Sequence, residues 1–166
     1  MTPAGVTPAF RIEALDPTHD RTRFRSGVVA LDDYLARQAG QDVRRRASAC
    51  FLAIDAESGR IAGYYTLAAA SVALTDLPQG LARKLPRYPS VPVARLGRLA
   101  IDTGFQGRKL GAALLADALT RAMRSEVAVL ALVVDAKDDR AAAFYRHHGF
   151  EPFSSTPLRF FLAFRR

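Results

Sequence analysis

Residues 96–115 read LGRLAIDTGFQGRKLGAALL, and the part of this stretch able to do chemistry is Gln106, Gly107, Arg108, Lys109, Leu110, Gly111 and Ala112. An apolar, strand-like run stops at Asp102, Gly104 and Gly107 make a turn, and a helix with an apolar face opens near Lys109. The first N–H groups of a helix have no carbonyl partner inside it, and with the helix dipole they bind phosphate oxygens favourably. Arg108 and Lys109 add positive charge at the same place. This spelling predicts a pyrophosphate cradle; it also suits a plain strand-to-helix turn that binds nothing.

The elements that must position this turn can be read along the chain. Residues 1–9, with two Pro, one Gly and no periodicity, predict a frayed terminus. FRIEAL at 10–15 alternates apolar and polar residues and predicts a first strand, followed by the basic loop DPTHDRTRFRSG. From Val28 the pattern is helical: Leu31, Leu35 and Ala39 recur every four residues, with Asp32 and Asp33 in early turns where the helix dipole favours acids. Arg44, Arg45 and Arg46 close this region, either as a solvated helix end or as a phosphate-contacting patch. SACFLAID (48–55) and RIAGYYTLAAASVAL (60–74) predict an antiparallel pair joined at AESG, with Gly59 supplying a positive φ. A short helix is expected from Thr75 or Asp76. PRYPSVP, with three Pro in seven residues, then predicts a stiff, extended connection into a strand at 93–102.

The helix expected at 110–123 aligns Leu110, Leu114, Ala118 and Ala122, with Leu115 and Leu119 beside them, for packing on a sheet. VAVLALVV (127–134) predicts a strand buried on both faces. Residues 138–148 predict a helix stopped by Gly149, and 158–164 a last strand. The fold class expected is α/β (α+β), as a single domain over 1–166.

Composition bounds the possible functions. At 166 residues and 49% apolar, the chain suits one globular domain. No apolar run approaches the roughly 18 residues that span a bilayer, and MTPAGVTPAF lacks a secretory pattern. A cytoplasmic protein with no membrane partner is therefore expected. Cys50, the single cysteine, reads as a buried structural thiol within ACFLAI. The three His and one Cys lack ligand spacing, so no metal is expected. Against 16 Asp+Glu stand 24 Lys+Arg, giving a net charge of +8 and a sequence pI near 10.4, a field that gathers polyanions. Twenty-one of the 24 are Arg, whose planar fork suits phosphate, although arginine richness also follows from genomic base content. Candidate polyanion contacts are Arg44, Arg45, Arg46, Arg83, Lys84, Arg87, Arg95 and Arg98.

Two segments carry a resemblance to a known family. QGRKLG at 106–111 is similar to the acetyl-CoA loop of the GNAT superfamily of N-acetyltransferases, usually written Q/R-x-x-G-x-G/A, with Lys109 where the first motif glycine is expected. A lysine fits there if its backbone is already helical. DDRAAAFYRHHGF resembles the superfamily's C-terminal Asn-x-x-Ala-x-x-x-Tyr motif followed by Gly-Phe: Asp138 stands at the Asn position and Ala141 at the Ala position, while Tyr145, Gly149 and Phe150 match.

The resemblance implies a GNAT fold, a mixed central β-sheet flanked by helices in which two parallel strands, here 93–102 and 127–134, splay apart. It implies that backbone groups of Leu99, Ala100 and Ile101 pair with the pantetheine of acetyl-CoA and polarise the thioester carbonyl. Residues 106–112, Asp138, Ala141 and Phe144 would then surround the cofactor, with Tyr145 near the sulfur. The implied reaction is direct attack by a neutral amine, with Tyr145 as general acid to the thiolate, a role open to a phenol of pKa about 10. His147 and His148 then serve only the C-terminal end of a helix dipole.

Glu13, Glu57, Glu126 and Glu151 are the only glutamates, and none falls on the strands that would line the acceptor side. A lysine amine, with pKa about 10.4, needs a base, whereas an α-amine at about 7.7–8.0 is substantially neutral. An α-amine acceptor is expected, with water or Asp102 left open as a base. The segments LDDYLARQA, AGYYTLAAASV, LPRYPSVPVARLGRLAID, DAKDDRAAAFYRHHGF and PLRFFL, over residues 10–162, look like the GNAT toxins of type II toxin-antitoxin modules. That narrower resemblance implies acetylation of the α-amine of an aminoacyl-tRNA, a block of peptide-bond formation, a ribbon-helix-helix antitoxin as partner, and a homodimer. The alternatives are a GNAT enzyme of a small amine or protein N-terminus, and a non-enzymatic nucleic-acid-binding domain that uses the Gly-rich turn structurally.

Overall fold

The computed structural model describes residues 9–164, so the frayed terminus expected for 1–9 lies, apart from Ala9, outside the described residues. Among the described residues seven strands, β1 (Phe10–Ala14), β2 (Ala49–Asp55), β3 (Ile61–Ala73), β4 (Ser90–Ile101), β5 (Ala131–Asp135), β6 (Glu151–Pro152) and β7 (Arg159–Ala163), hydrogen-bond in the order β1-β2-β3-β4-β5-β7-β6. The chain forms two compact units, Met1–Leu67 with Arg98–Ala118, and Ala68–Gly97 with Leu119–Arg166, so that β3 and β4 each run through both.

In the first unit, β1 (Phe10–Ala14) pairs antiparallel with β2 (Ala49–Asp55), which pairs antiparallel with β3 (Ile61–Ala73) over Ala49↔Leu67 to Ile54↔Ile61. The hairpin between β2 and β3 turns at Gly59 with φ 72, as the sequence predicts. One face of these strands buries Leu35, Cys50, Leu52, Tyr64 and Ala100 in a common cluster with Phe24 and Tyr34. The helix expected from Val28 is present but not uniform. It runs as α1 (Val29–Asp33), a π-helical turn (Tyr34–Gln38) and α2 (Ala39–Arg44). Periodicity alone does not reveal a one-residue widening of this kind.

β4 (Ser90–Ile101) ends at Asp102, which caps a 3-10 turn (Thr103–Phe105), and α4 (Leu110–Met123) follows. Leu110, Leu114, Leu115, Ala118 and Ala122 are buried, as the helical stripe requires. Gly63 of β3 lets α4 approach: a Cβ there would stand 2.9 Å from Leu114 Cδ1 and 3.0 Å from the Ala100 carbonyl oxygen.

In the second unit, β4 pairs parallel with β5 (Ala131–Asp135) over Ala94↔Leu132 to Leu96↔Val134, and β5 pairs antiparallel with β7 (Arg159–Ala163). β4 then continues through residues 97–101, beyond that ladder. A two-residue β6 (Glu151–Pro152), absent from the sequence reading, pairs with β7. Val72, Val91, Val93, Val133, Phe153 and Phe161 share its core.

Two expectations are corrected here. The strand expected at 127–134 begins only at Ala131, and Val127 is 72% exposed. The regular pairing with β7 starts at Ala131↔Ala163, and beyond it Leu130 still donates its N–H to the Pro92 carbonyl at 3.1 Å and accepts from the Phe164 N–H at 2.9 Å. The helix expected from Thr75 or Asp76 is instead a 3-10 turn (Leu74–Asp76) followed by the short α3 (Gln79–Ala82). Pro78 explains the break, because the residue before a proline is driven out of the helical region, and Leu77 is extended at φ −85, ψ 151.

Candidate active site

The turn ahead of α4 has the features of an anion cradle. Among the described residues, the main-chain N–H groups of Leu110, Gly111 and Ala112 have no acceptor, the first α4 bond from this end being Ala113 N–H to Lys109 O at 3.2 Å. Gly107 has φ 81, and Arg108 is exposed with its guanidinium 5.3 Å from the centre of the Phe105 ring. The Gln106 amide reaches toward the carbonyl of Ile101 at 3.4 Å. The cradle thus fits a diphosphate through unspoken-for donors and two basic side chains.

Lys109 differs from expectation. Its φ is 59, so its backbone is left-handed rather than already helical. The position keeps the backbone that the motif's glycine adopts without strain, while carrying a side chain that opposes it. The lysine is therefore tolerated by local strain, not by joining the helix early.

Asp102 is no free base. It is 2% exposed, accepts from the Gly104 N–H at 2.8 Å and from the Arg25 N–H at 2.9 Å, and has Arg60 Nη2 3.7 Å away. Its carboxylate ties the end of β4 to the loop before α1. The adjoining Leu99 and Ile101 are half-buried and Ala100 is buried, so what this part of β4 can offer is main chain.

In the second unit, α5 (Asp139–His147) begins with Asp138 as N-cap, whose side chain accepts from the Ala141 N–H at 2.8 Å. An asparagine would make the same bond, so the Asp preserves the helix start. Gly149, at φ 90, ends the helix. Tyr145 is 6% exposed and packs edge-on against Phe144 and Phe150. Burial pushes its phenol up to about 12, and no group among the described residues hydrogen-bonds its hydroxyl. It is a proton donor with an uncommitted O–H. His147 and His148 lie at the C-terminal end of α5 and pack against each other and, for His148, Phe144.

Of the predicted basic contacts, Arg44, Arg45, Arg46, Arg83, Lys84 and Arg87 are exposed. Arg95 is not free, its guanidinium lying 3.1 Å from Asp135, which also binds Arg159 at 2.8 Å. Arg98 instead has its guanidinium carbon over the Tyr34 ring, 3.5 Å from its centre. Sequence reasoning missed Tyr34, because an aromatic at helical spacing is ordinarily core. Cys50 is buried, and burial pushes its thiol up to about 12, which leaves it unreactive.

A parallel pair ending early, an open helix N-terminus after it and a helix carrying a buried tyrosine define an acyltransferase architecture. Residues 12–150 match the acetyltransferase (GNAT) family, and the chain belongs to it; it is an acetyl-CoA-dependent acetyltransferase. It is 40% identical over 161 residues, 96% of this chain and 93% of the relative, to the tRNA-acetylating toxin of Mycobacterium tuberculosis (strain ATCC 25618 / H37Rv). Among solved structures, AtaT complexed with acetyl-methionyl-tRNAfMet matches with a TM-score of 0.85 and 29% identity, over 93% of this chain and 94% of that one. A mutant AtaT toxin bound to the C-terminus of the antitoxin AtaR and to acetyl-CoA matches with a TM-score of 0.78 and 25% identity, over 94% of each chain. Among the described residues no helix is long and apolar enough to cross a membrane.

Proposed function

We propose that this protein transfers the acetyl group of acetyl-CoA to the α-amine of an aminoacyl-tRNA and so acts as a toxin on translation. The observation that carries this reading is the 40% identity, over 96% of the chain, to a tRNA-acetylating toxin. The exposed arginines and the net charge of +8 are consistent with a polyanionic acceptor. An acetylated α-amine has lost the lone pair that attacks the next ester, so the charged tRNA no longer elongates a peptide.

Each residue then has a defined task. Residues 107–112 hold the diphosphate through main-chain N–H groups, aided by Arg108 and Lys109, with Gln106 bracing the turn against β4. Main-chain groups of Leu99, Ala100 and Ile101 pair with the pantetheine, and Ala141 and Phe144 line its approach on α5, which Asp138 caps. When bound, acetyl-CoA supplies an activated thioester. The amine nitrogen forms the new C–N bond, the C–S bond breaks, Tyr145 gives its proton to the sulfur, and solvent takes the proton lost by nitrogen. Arg44, Arg45, Arg46, Arg83, Lys84, Arg87 and Arg98 face the tRNA backbone. The reading of the chain as a single acetyltransferase domain is supported by a family match that covers residues 12–150. A ribbon-helix-helix antitoxin restrains the enzyme, which works in the cytoplasm as a homodimer; AtaT, the structural neighbour, is itself held by the C-terminus of AtaR.

The test is incubation with labelled acetyl-CoA and total charged tRNA, followed by mass spectrometry of the released aminoacyl-adenosine. N-acetylated product that is lost with Tyr145→Phe supports the reading. Label that enters only protein or free amines overturns it.

A further inference from the structure

On one face of β4 stands an arginine whose hydrogen-bonding capacity is unused. Ile101 and Leu114 of α4 both approach the Cβ position of Gly63, so Ile101 faces α4. Ala100 lies in the opposite cluster with Tyr34, Leu35 and Tyr64. By strand alternation, Arg98 points the same way as Ala100, toward α1, the π turn and α2. Its guanidinium carbon stacks 3.5 Å from the centre of the Tyr34 ring. Among the described residues its N–H groups meet no hydrogen-bond acceptor and no carboxylate within ion-pair distance.

The platform beneath it is rigid. Tyr34 is 7% exposed, its hydroxyl donates to Asp42 at 2.8 Å, and Gln38 donates to the other Asp42 oxygen at 2.9 Å. Tyr64 stacks beside it at an interplanar angle of 15°, anchored by its own hydroxyl to the Leu31 carbonyl at 2.7 Å. The π turn (Tyr34–Gln38) puts this ring under Arg98, and such turns occur often at functional sites. An arginine held over an aromatic face has already lost much of its rotamer freedom, while the N–H groups of its planar fork can still bind two oxygens of a phosphodiester. Arg98 is half-buried, not engulfed. It also immediately precedes the three residues assigned to the acyl-bearing arm.

We propose that Arg98, stacked on Tyr34, grips the phosphodiester of the acceptor's terminal nucleotide and thereby sets the aminoacyl amine against the thioester. The inference rests on the reading of the acceptor as aminoacyl-tRNA. It assigns to Arg98 a positioning role distinct from the diffuse attraction of the exposed arginines.

The experiment compares three acceptors: charged tRNA, an aminoacylated CCA trinucleotide, and a phosphate-free aminoacyl-adenosine. For Arg98→Gln, KM should rise at least tenfold on the first two, with little change in kcat. The phosphate-free acceptor and the acetyl-CoA affinity should be unaffected. The slope of log affinity for tRNA against log salt should fall by about one. Arg98→Lys keeps the charge but not the fork, so it should restore the salt slope while recovering KM only in part, and it carries the test should the Gln variant unfold. An equal loss on the phosphate-free acceptor, or no change on any, means that Arg98 merely packs on Tyr34 and overturns the proposal. If the wild-type protein acetylates aminoacyl-adenosine but no charged tRNA, the acceptor reading itself falls, a result separable from failure of the arginine's role.

Discussion

Replacing Lys109 by Ala and by Gly should give an order of stability opposite to that of an ordinary helical position. At a right-handed site near a helix start, Ala is favoured over Gly by up to about 1 kcal/mol. Lys109 has φ 59, where a side chain costs on the order of 1–2 kcal/mol. Alanine keeps that strain. Glycine removes it and gives back about 0.5–1 kcal/mol through a freer unfolded chain. The Gly variant should therefore exceed the Ala variant by about 0.5–1 kcal/mol, which for a chain of this length is about 1–4 °C in Tm. Both variants lack the lysine charge, so their difference isolates the backbone. Urea and thermal unfolding measure it, and titration with acetyl-CoA checks that the Gly variant binds at least as tightly as the Ala variant. An Ala variant as stable as the Gly variant would refute the left-handed assignment.

Three further outcomes are expected. Gly63→Ala should destabilise by about 1–3 kcal/mol, as overpacking against backbone does, because the Ala100 carbonyl 3.0 Å away belongs to the sheet and cannot yield; a melting curve within 1 °C of wild type contradicts the close seat of α4. Thr66 is 1% exposed and its hydroxyl meets no partner among the described residues, so Thr66→Val should stabilise by about 1 kcal/mol, and a loss of stability in urea would show that the hydroxyl is satisfied. The Cys50 thiol stays protonated in the folded chain up to about pH 12 but ionises near its ordinary value of 9.0 when unfolded. The unfolded state thus binds fewer protons between those values, and stability should fall as pH rises through that window; Cys50→Ala should flatten this slope in pH-dependent denaturation.

The readable and unreadable parts of the chain differ in what fixes them. The α4 stripe, the Gly59 hairpin and the Tyr145 helix are local patterns with a fixed period, and the structure follows them. The start of β5 is set by where the neighbouring strands offer partners, Pro92 on one side and Ala163 and Phe164 on the other, a long-range fact that the run VAVLALVV does not contain. Lys109 is a different case. Its identity suggests helix, while its place in the turn imposes the conformation of a glycine, so local preference and tertiary demand conflict at a functional loop. Tyr34 could have been found only from the widened turn that carries it, and widening by one residue leaves a four-residue apolar spacing nearly unchanged.

The same hydrogen-bond accounting bears on which amine can react. Four carboxylates of the first unit accept hydrogen bonds: Asp32 from the Ser26 N–H and hydroxyl, Asp42 from Gln38 and Tyr34, Asp102 from two main-chain N–H groups, and Asp117 from Tyr65. Hydrogen bonds from Gln38 and Tyr34 hold the Asp42 carboxyl below the usual carboxylate value, which weakens it further as a base. Tyr145, pushed up to about 12 by burial, keeps its proton at working pH, as the proposed role of acid requires. The proposed mechanism uses an acceptor that arrives neutral, which an α-amine of pKa about 7.7–8.0 does and a lysine amine of about 10.4 does not. The kcat/KM for charged tRNA should rise with pH through about 8 and then stay level to about pH 10, with no descending limb from Tyr145 in that range. A lysine peptide of equal concentration should react slowly and gain rate tenfold per pH unit up to about pH 10. A descending limb near pH 9 in the wild-type profile, matched by ionisation of the Tyr145 ring followed by NMR, would place the phenol's ionisation far below where its burial puts it, and the division of proton tasks between acid and amine would fail with it.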